Sequence, residues 1–301
     1  MNEPTVPQVS LIVCTRDRPV ALAHCLAAIR VAAARTRDAA IELIVVDNAP
    51  TASAGPLVRA LAARPGLTIR YLHVAQSGLA RARNAGLSAA KAAIIACTDD
   101  DCRIDPGYFT GLREAFAQNG AGPVVMGGRV QPGMHDPSHK VRGGDAPETF
   151  HRGLVPTGFV LGCNLTFNRA AIAAIGLFDW RFGCGGPLRS GEDTDYILRA
   201  HQAGVPVIYS PRFTVDRFGG RAARAAQADA CFGNGALVAK HLRASPWLAR
   251  QLGRLVRGSL REAAGGHRFE PRRGRSHFPV LAATFAGMRR YWSLRRADMG
   301  V

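Results

Sequence analysis

Apolar and polar positions in the first third of the chain come in blocks rather than singly. Val9–Cys14, Ile41–Val46 and Ile94–Cys97 are short apolar runs. Each is halted by a polar turn, respectively Thr15-Arg16-Asp17-Arg18-Pro19, Asp47-Asn48 and, after Thr98, Asp99-Asp100-Asp101. Runs of this length bounded by turn residues predict buried strands. Between them the apolar spacing becomes helical, at Leu22, Cys25, Leu26 and Ile29 after Pro19, and again at Leu57, Val58 and Leu61. Thr68–Leu72 predicts a further strand, and Gly78–Gly86 opens a further helix. Strands alternating with helices predict a parallel sheet with crossover helices. Thr15–Asp17, Asp47 and Asp99–Asp101 then lie along one carboxyl edge, where open α/β sheets bind ligands.

The rhythm changes afterwards. Pro123–Val130 predicts a strand, followed by a polar stretch from Gln131 to Gly153 long enough to be a lid or an excursion without structure. Phe159–Phe167 leads into a helix predicted over Arg169–Ile175. The glycine-rich Gly183-Cys184-Gly185-Gly186 precedes Ser190-Gly191-Glu192-Asp193-Thr194-Asp195, and from Asp193 the apolar spacing is helical through Ile197, Leu198 and Ala200. Internal repeats are absent. So is the GxGxxG pattern, which leaves a dinucleotide fold of that type without support.

Composition narrows the picture. With 301 residues, 47% of them hydrophobic, the chain can bury a substantial core. No apolar run approaches the roughly 20 residues that span a bilayer; Phe278–Met288 is too short. Signal-peptide order is not seen, and seven cysteines without metal-type spacing predict free thiols in a reducing, cytoplasmic compartment. The net charge of +17 is unevenly placed. Residues 217–301 hold 17 basic and 4 acidic side chains, a difference of +13, which leaves residues 1–216 at +4. The boundary predicted from this is a domain over 1–216, with a nucleotide-binding half at about 8–105 and an acceptor half at about 120–216, and a basic, mainly helical extension over 217–301.

Three adjacent carboxylates repel one another, and a cation relieves them. Hard oxygen donors of this kind suit Mg2+ or Mn2+. The plain alternative is a solvated acidic turn ahead of a helix starting near Pro106.

Ser10–Pro19, Ile44–Asn48, Gly78–Gly86, Thr98–Asp101, Gly162-Cys163-Asn164 and Gly191–Asp195, in this order and spacing, resemble the family-2 glycosyltransferases. These are the inverting group with the GT-A fold, and the resemblance covers roughly residues 8–216. It implies an α/β fold with a Rossmann-like, mostly parallel sheet flanked by helices. It also implies transfer of a sugar from a nucleoside diphosphate sugar, of UDP or dTDP type, to a hydroxyl on a glycan, glycolipid or small molecule. Asp47 resembles the carboxylate that meets the nucleotide base, the alternative being a strand-end cap. Arg83 resembles the arginine that approaches the donor, the alternative being a solvated helix face, and Thr15 and Arg16 would line the nucleotide pocket. Asp99 and Asp101 match the DxD pattern, with Asp101 on the metal and Asp99 at the ribose or the metal, while Asp100 points elsewhere. Asp193 matches the general base, Glu192 would orient the acceptor and Asp195 would support the helix; an acid at a helix N-terminus is also favoured by the macrodipole alone.

Two departures stand out. Where many members carry a metal-binding histidine, this chain has Phe213-Thr214-Val215-Asp216-Arg217, leaving Asp216 as a candidate third ligand. The glutamine–arginine–tryptophan signature of processive synthases is missing, which favours addition of one or a few sugars. Rival readings are a nucleotide-sugar-binding protein without turnover and a nucleic-acid-binding protein driven by the basic tail, the latter without a recognised motif. In that tail Leu248, Leu252, Leu255, Val256 and Leu260 oppose Arg250, Arg254, Arg257 and Arg261 on a helical wheel. Such a helix either lies at an anionic membrane surface, placing the protein peripherally at the inner face of the cytoplasmic membrane, or packs on the domain with its arginines solvated. Arg289, Arg290, Arg295 and Arg296 beside Tyr291 and Trp292 repeat the theme.

Overall fold

Strands β1 (Val9–Thr15) and β2 (Ile41–Asp47) are buried at every position, as apolar runs with a neighbour on each side must be. They open a computed structural model that describes residues 6–36, 39–60, 66–132, 144–151, 156–218, 223–265 and 276–298. Between them runs α1 (Pro19–Arg35). Its proline stands at the first turn, where the missing N–H costs nothing, and Leu22, Cys25, Leu26, Ile29 and Ala32 form its buried face. The short α2 (Gly55–Arg59) leads to β3 (Leu67–His73), and α3 (Leu79–Ala89) leads to β4 (Ile94–Asp99).

These four strands are parallel in the order β3-β2-β1-β4, with Thr15 beside Asp47 and Cys14 beside Asp99. The chain winds outward from β1 to β3, then α3 carries it back across to the other side of β1. That reversal makes β1/β4 the switch point of the sheet. A crevice forms there because the connections leave in opposite directions.

The rest of this first unit is mixed rather than parallel. It holds β5 (Cys102–Ile104), α4 (Tyr108–Ala117), β6 (Val125–Pro132), β7 (Glu148–Thr149), β8 (Leu165–Asn168), α5 (Arg169–Ile175), α6 (Glu192–Gln202) and β9 (Val207–Arg217). The order continues β4-β8-β6-β9-β5, with β7 also on β9, completing nine strands among the described residues. β8 is antiparallel to both β4 and β6, β6 and β9 are parallel, and β5 and β7 are antiparallel to β9. The helix expected near Pro106 begins at Tyr108. Most of the long polar stretch after Gln131 lies outside the described residues, and the described part, 144–151, carries β7. Cys14, Cys25, Cys97, Cys102 and Cys163 are buried free thiols.

The chain divides into two units at boundaries different from the expected 216/217. Residues 181–191 group with 221–301, and 192–220 group with the sheet. In the second unit α7 (Ala223–His241) and α9 (His277–Asp298) pack closely through glycines. A Cβ on Gly235 would lie 1.9 Å from the Thr284 carbonyl oxygen, and one on Gly287 1.9 Å from that of Phe232. The amphipathic α8 (Ala249–Ala263) meets α9 where the Glu262 carboxylate accepts bonds from the His277 backbone N–H and contacts its Nδ1. Among the described residues no helix is long and apolar enough to cross a membrane.

Candidate active site

The carboxyl edge of β1 and β4 gathers the acidic triplet and three arginines. The Thr15 hydroxyl donates to Asp100 Oδ2 at 2.8 Å, and Arg18 Nη1 donates to Asp100 Oδ1 at 2.8 Å. Arg18 is delivered by the turn after β1, in which Asp17 takes a left-handed φ of 53°. Asp101 has longer contacts, with Arg18 Nη2 and Nη1 donating to its Oδ2 at 3.2 and 3.3 Å, and Cys102 Sγ and Arg217 Nε each 3.7 Å from its Oδ1. Asp99 has one, 3.2 Å to Arg83 Nη2, and keeps 19% of its side chain in contact with solvent. Asp100 and Asp101 thus share Arg18 and are equally buried, while Asp99 is the most open of the three. Burial pushes the Asp100 carboxyl up to about 6, against the pull of Thr15 and Arg18. Beside Arg18, Asp100 and Asp101 opens a cavity of about 320 Å3, lined also by His24, Cys25 and Phe218.

Three residues expected at the donor face inward instead. Asp47 is fully buried, with Oδ1 accepting from the Ala49 N–H at 3.1 Å and Oδ2 accepting from the Ala54 N–H at 2.8 Å and the Tyr71 hydroxyl at 2.9 Å. Both oxygens fasten the loop after β2, which is the geometry of a strand-end cap. Thr15 is occupied with Asp100. Arg83 is 1% exposed, because α3 presses it against the sheet. Its Nη1 donates to Glu192 Oε1 at 2.8 Å and its Nη2 to Asp99 Oδ1, so it is neither solvated nor open to a nucleotide. Burial works against its charge, but Glu192 and Asp99 outweigh burial and raise its pKa. Arg16 alone of this set is exposed, hydrogen-bonded to Ser77.

Glu192 and Asp193 open α6, where the helix N-terminus favours negative charge. Glu192 is buried against Arg83 rather than presented to an acceptor, and burial together with Asp193 raises its pKa. Asp193 is half-buried. Its Oδ2 accepts from the Gly162 N–H at 3.0 Å, while its Oδ1 accepts from the Thr194 N–H at 2.6 Å and hydroxyl at 3.2 Å. Gly162 is a site residue that the motif flagged without a role. Its amide orients Asp193, and a Cβ there would lie 2.7 Å from Arg83 Nη2. Asn164 is a buried latch, accepting from the Tyr108 hydroxyl and donating to the carbonyls of Arg129 and Phe213. Asp195 is held by Arg199 one turn later.

Asp216 is not brought to the triplet. It pairs with Arg103 across β5/β9, and burial with nearby Asp105 raises its pKa. Successive strand residues point to opposite faces, so Arg217, reaching toward Asp101, turns Asp216 away. Among the described residues no three histidine, cysteine or acidic side chains are grouped to hold a metal.

Glycosyl transferase family 2 matches residues 10–176, more than half of the chain. The chain belongs to that family. It is 32% identical over 202 residues to the succinoglycan biosynthesis protein ExoM of Rhizobium meliloti (strain 1021), a match covering 66% of this chain and 63% of that protein. The chain thus aligns with under two thirds of that relative's length. Among solved structures it resembles the mannosyltransferase PcManGT from Pyrobaculum calidifontis in complex with GDP-Man and Mn2+, at a TM-score of 0.59 and 18% identity, covering 95% of this chain and 87% of that one. It also resembles S. aureus TarS 1–349 in complex with UDP-GlcNAc, at 0.57 and 15%, covering 97% and 74%. At such identities the likeness establishes the shared fold.

In this family-2 chain the donor set suits a divalent cation bound partly by substrate. Asp99, Asp100, Asp101, Glu192 and Asp193 stand against Arg18, Arg83 and Arg217, five carboxylates to three guanidinium groups, an excess of two negative charges. One Mg2+ or Mn2+ held by Asp99 and Asp101 would neutralise that excess. Such ions take one or two carboxylates plus phosphate oxygens and waters, so a third protein ligand is not required.

Proposed function

We propose that the chain is a metal-assisted, inverting glycosyltransferase that moves a sugar from a nucleoside diphosphate donor to a hydroxyl acceptor, with Asp193 as general base. The observation that carries this reading is the line Asp99–Arg83–Glu192, which ties the acidic triplet to the first residue of the helix bearing Asp193. Asp193 itself is fixed by the Gly162 amide and Thr194, so its carboxylate is held in one orientation. In the proposed step the acceptor oxygen attacks the anomeric carbon and the bond to the diphosphate oxygen breaks on the opposite face. Asp193 takes the hydroxyl proton, and the nucleoside diphosphate leaves with the bonding pair. Mg2+ or Mn2+, held by Asp99 and Asp101 and by the diphosphate, would neutralise the leaving group's charge. Arg16 sits exposed at the lip of the edge, suited to the donor's phosphates. The complexes of PcManGT with GDP-Man and of TarS with UDP-GlcNAc support a donor of this class. The relation to a succinoglycan biosynthesis protein supports a saccharide acceptor.

Asp193→Asn removes the base and keeps one acceptor oxygen, so it retains either the Gly162 bond or the Thr194 bonds but not both. Transfer should fall by about 10²-fold or more, with donor affinity changed no more than a few-fold; normal turnover would refute the assignment. The product's anomeric configuration, read by NMR, should be inverted, and retention would overturn the mechanism. EDTA should abolish donor turnover and Mn2+ should restore it. Donor binding without turnover under every metal condition would instead favour the non-catalytic reading.

A further inference from the structure

The second unit carries an apolar stripe that its own packing covers only in part, with Leu281 and Met288 half-buried. On α9, Thr284, Gly287 and Tyr291 are buried, Thr284 and Gly287 at close approaches to α7. The residue after each of these, Phe285, Met288 and Trp292, lies roughly 100° further round the helix. With Phe278 and Leu281 they follow one another in steps of three and four, which aligns them along one face. Phe278, Phe285 and Trp292 are 49%, 44% and 40% exposed, far more than aromatic side chains of a packed helix. Leu260, on α8, is 65% exposed.

Charge decides what covers the stripe. Arg289, Arg290 and Arg296 are exposed on α9, and Arg250, Arg254, Arg257 and Arg261 on α8. The acids of these two helices, Glu262 and Asp298, are paired with His277 and Arg181. A second copy would bring the same positive charge against itself. Single-stranded nucleic acid is met by aromatics spaced along a positively charged groove, whereas this is a continuous apolar line on one helix, Leu281 and Met288 between the aromatics, edged by arginines. Aromatic side chains flanked by arginines suit the headgroup boundary of an anionic bilayer.

We propose that the α9 stripe Phe278–Leu281–Phe285–Met288–Trp292 docks the protein onto an anionic lipid surface, its apolar side chains entering the headgroup boundary and the arginines of α8 and α9 binding lipid phosphates. The attachment is peripheral and independent of the reaction assigned to the first unit.

Sedimentation of the full-length protein with phosphatidylglycerol-containing vesicles, against phosphatidylcholine vesicles, tests this. Binding should require the anionic lipid and weaken as salt rises. The triple variant Phe278→Ser, Phe285→Ser, Trp292→Ser should lose at least about tenfold in partitioning, with circular dichroism and donor turnover in solution unchanged. The variant Arg289→Gln, Arg290→Gln, Arg296→Gln should lose the preference for anionic lipid while remaining folded. Indifference to anionic vesicles at low salt overturns the proposal, as does undiminished binding by the folded serine variant. A dimer in sedimentation velocity that the serine variant dissolves would assign the stripe to a second copy. Retention on single-stranded DNA lost in that variant, without vesicle binding, would assign it to nucleic acid.

Discussion

Asp47 and Arg83 are both charged side chains at the binding edge of the sheet, and both spend their charge inside the protein. Asp47 gathers two backbone N–H groups and a phenol onto one buried carboxylate. Asp47→Ala strands those donors without an acceptor, which should cost about 2–4 kcal/mol in chemical denaturation while UDP affinity of the folded protein stays within a few-fold. Unchanged stability with lost nucleotide binding would return Asp47 to the base-contact role. Arg83 stands between Glu192 and Asp99, residues far apart in sequence whose carboxylates repel once it is removed. Arg83→Met should destabilise by about 2–4 kcal/mol, toward the lower end for a buried pair because Asp99 is partly hydrated. Adding Glu192→Gln should recover part of that loss, and strictly additive effects would show that the two side chains do not interact.

At the scale of elements, the seat of α3 on the sheet depends on one missing side chain. A Cβ on Gly86 would lie 2.5 Å from the Ile12 Cγ2 in β1. Gly86→Ala should therefore cost about 1–3 kcal/mol despite the better helix propensity of alanine, and a more stable variant would mean that α3 can move away freely. Displacing α3 also displaces Arg83, so donor turnover should fall with stability. The parallel half of the sheet was legible because β1, β2 and β4 are mostly apolar runs, interrupted only by Ser10 and Glu42, that stop at polar residues, and α1 and α5 because their apolar spacing and starts are regular. The mixed half was legible only at β6, as the run Pro123–Val130. β9 carries Pro211 and Arg212 in its middle, and β5 is three residues long. Such strands are defined by partners distant in sequence, not by local pattern. What was legible of the site was residue types at an edge, the triplet and Asp193. Side-chain direction was not, which is why Arg18, Arg217 and Gly162 went unassigned and why Asp47, Arg83, Glu192 and Asp216 face elsewhere than expected.

At the scale of the whole molecule, the chain groups differently from the charge step near residue 217. Residues 181–191 lie within the nearly balanced two-thirds, yet they belong to the second unit. There Arg181 pairs with Asp298 at 2.9 Å, Arg189 pairs with Asp229 at 3.6 Å, and Phe182 receives the Lys240 ammonium 5.1 Å from its ring centroid. Gly191, at a φ of 92°, has Leu237 so close that a Cβ would meet it at 2.9 Å. The next residue is Glu192, which begins α6 and holds Arg83. A chain ending at residue 220 keeps every proposed catalytic and metal-binding side chain, and by motif alone it should work. It would lose the partners of the segment that leads into α6, so the entry to the base-bearing helix is no longer fixed. We predict that this truncated chain binds UDP with affinity within about tenfold of full length, because the β1/β4 edge is intact. Its turnover should fall by roughly 10²-fold, the cost of misplacing a catalytic group by about an ångström. Turnover equal to that of the full chain would show that 181–191 orders itself and that the second unit contributes nothing to the placement of Asp193.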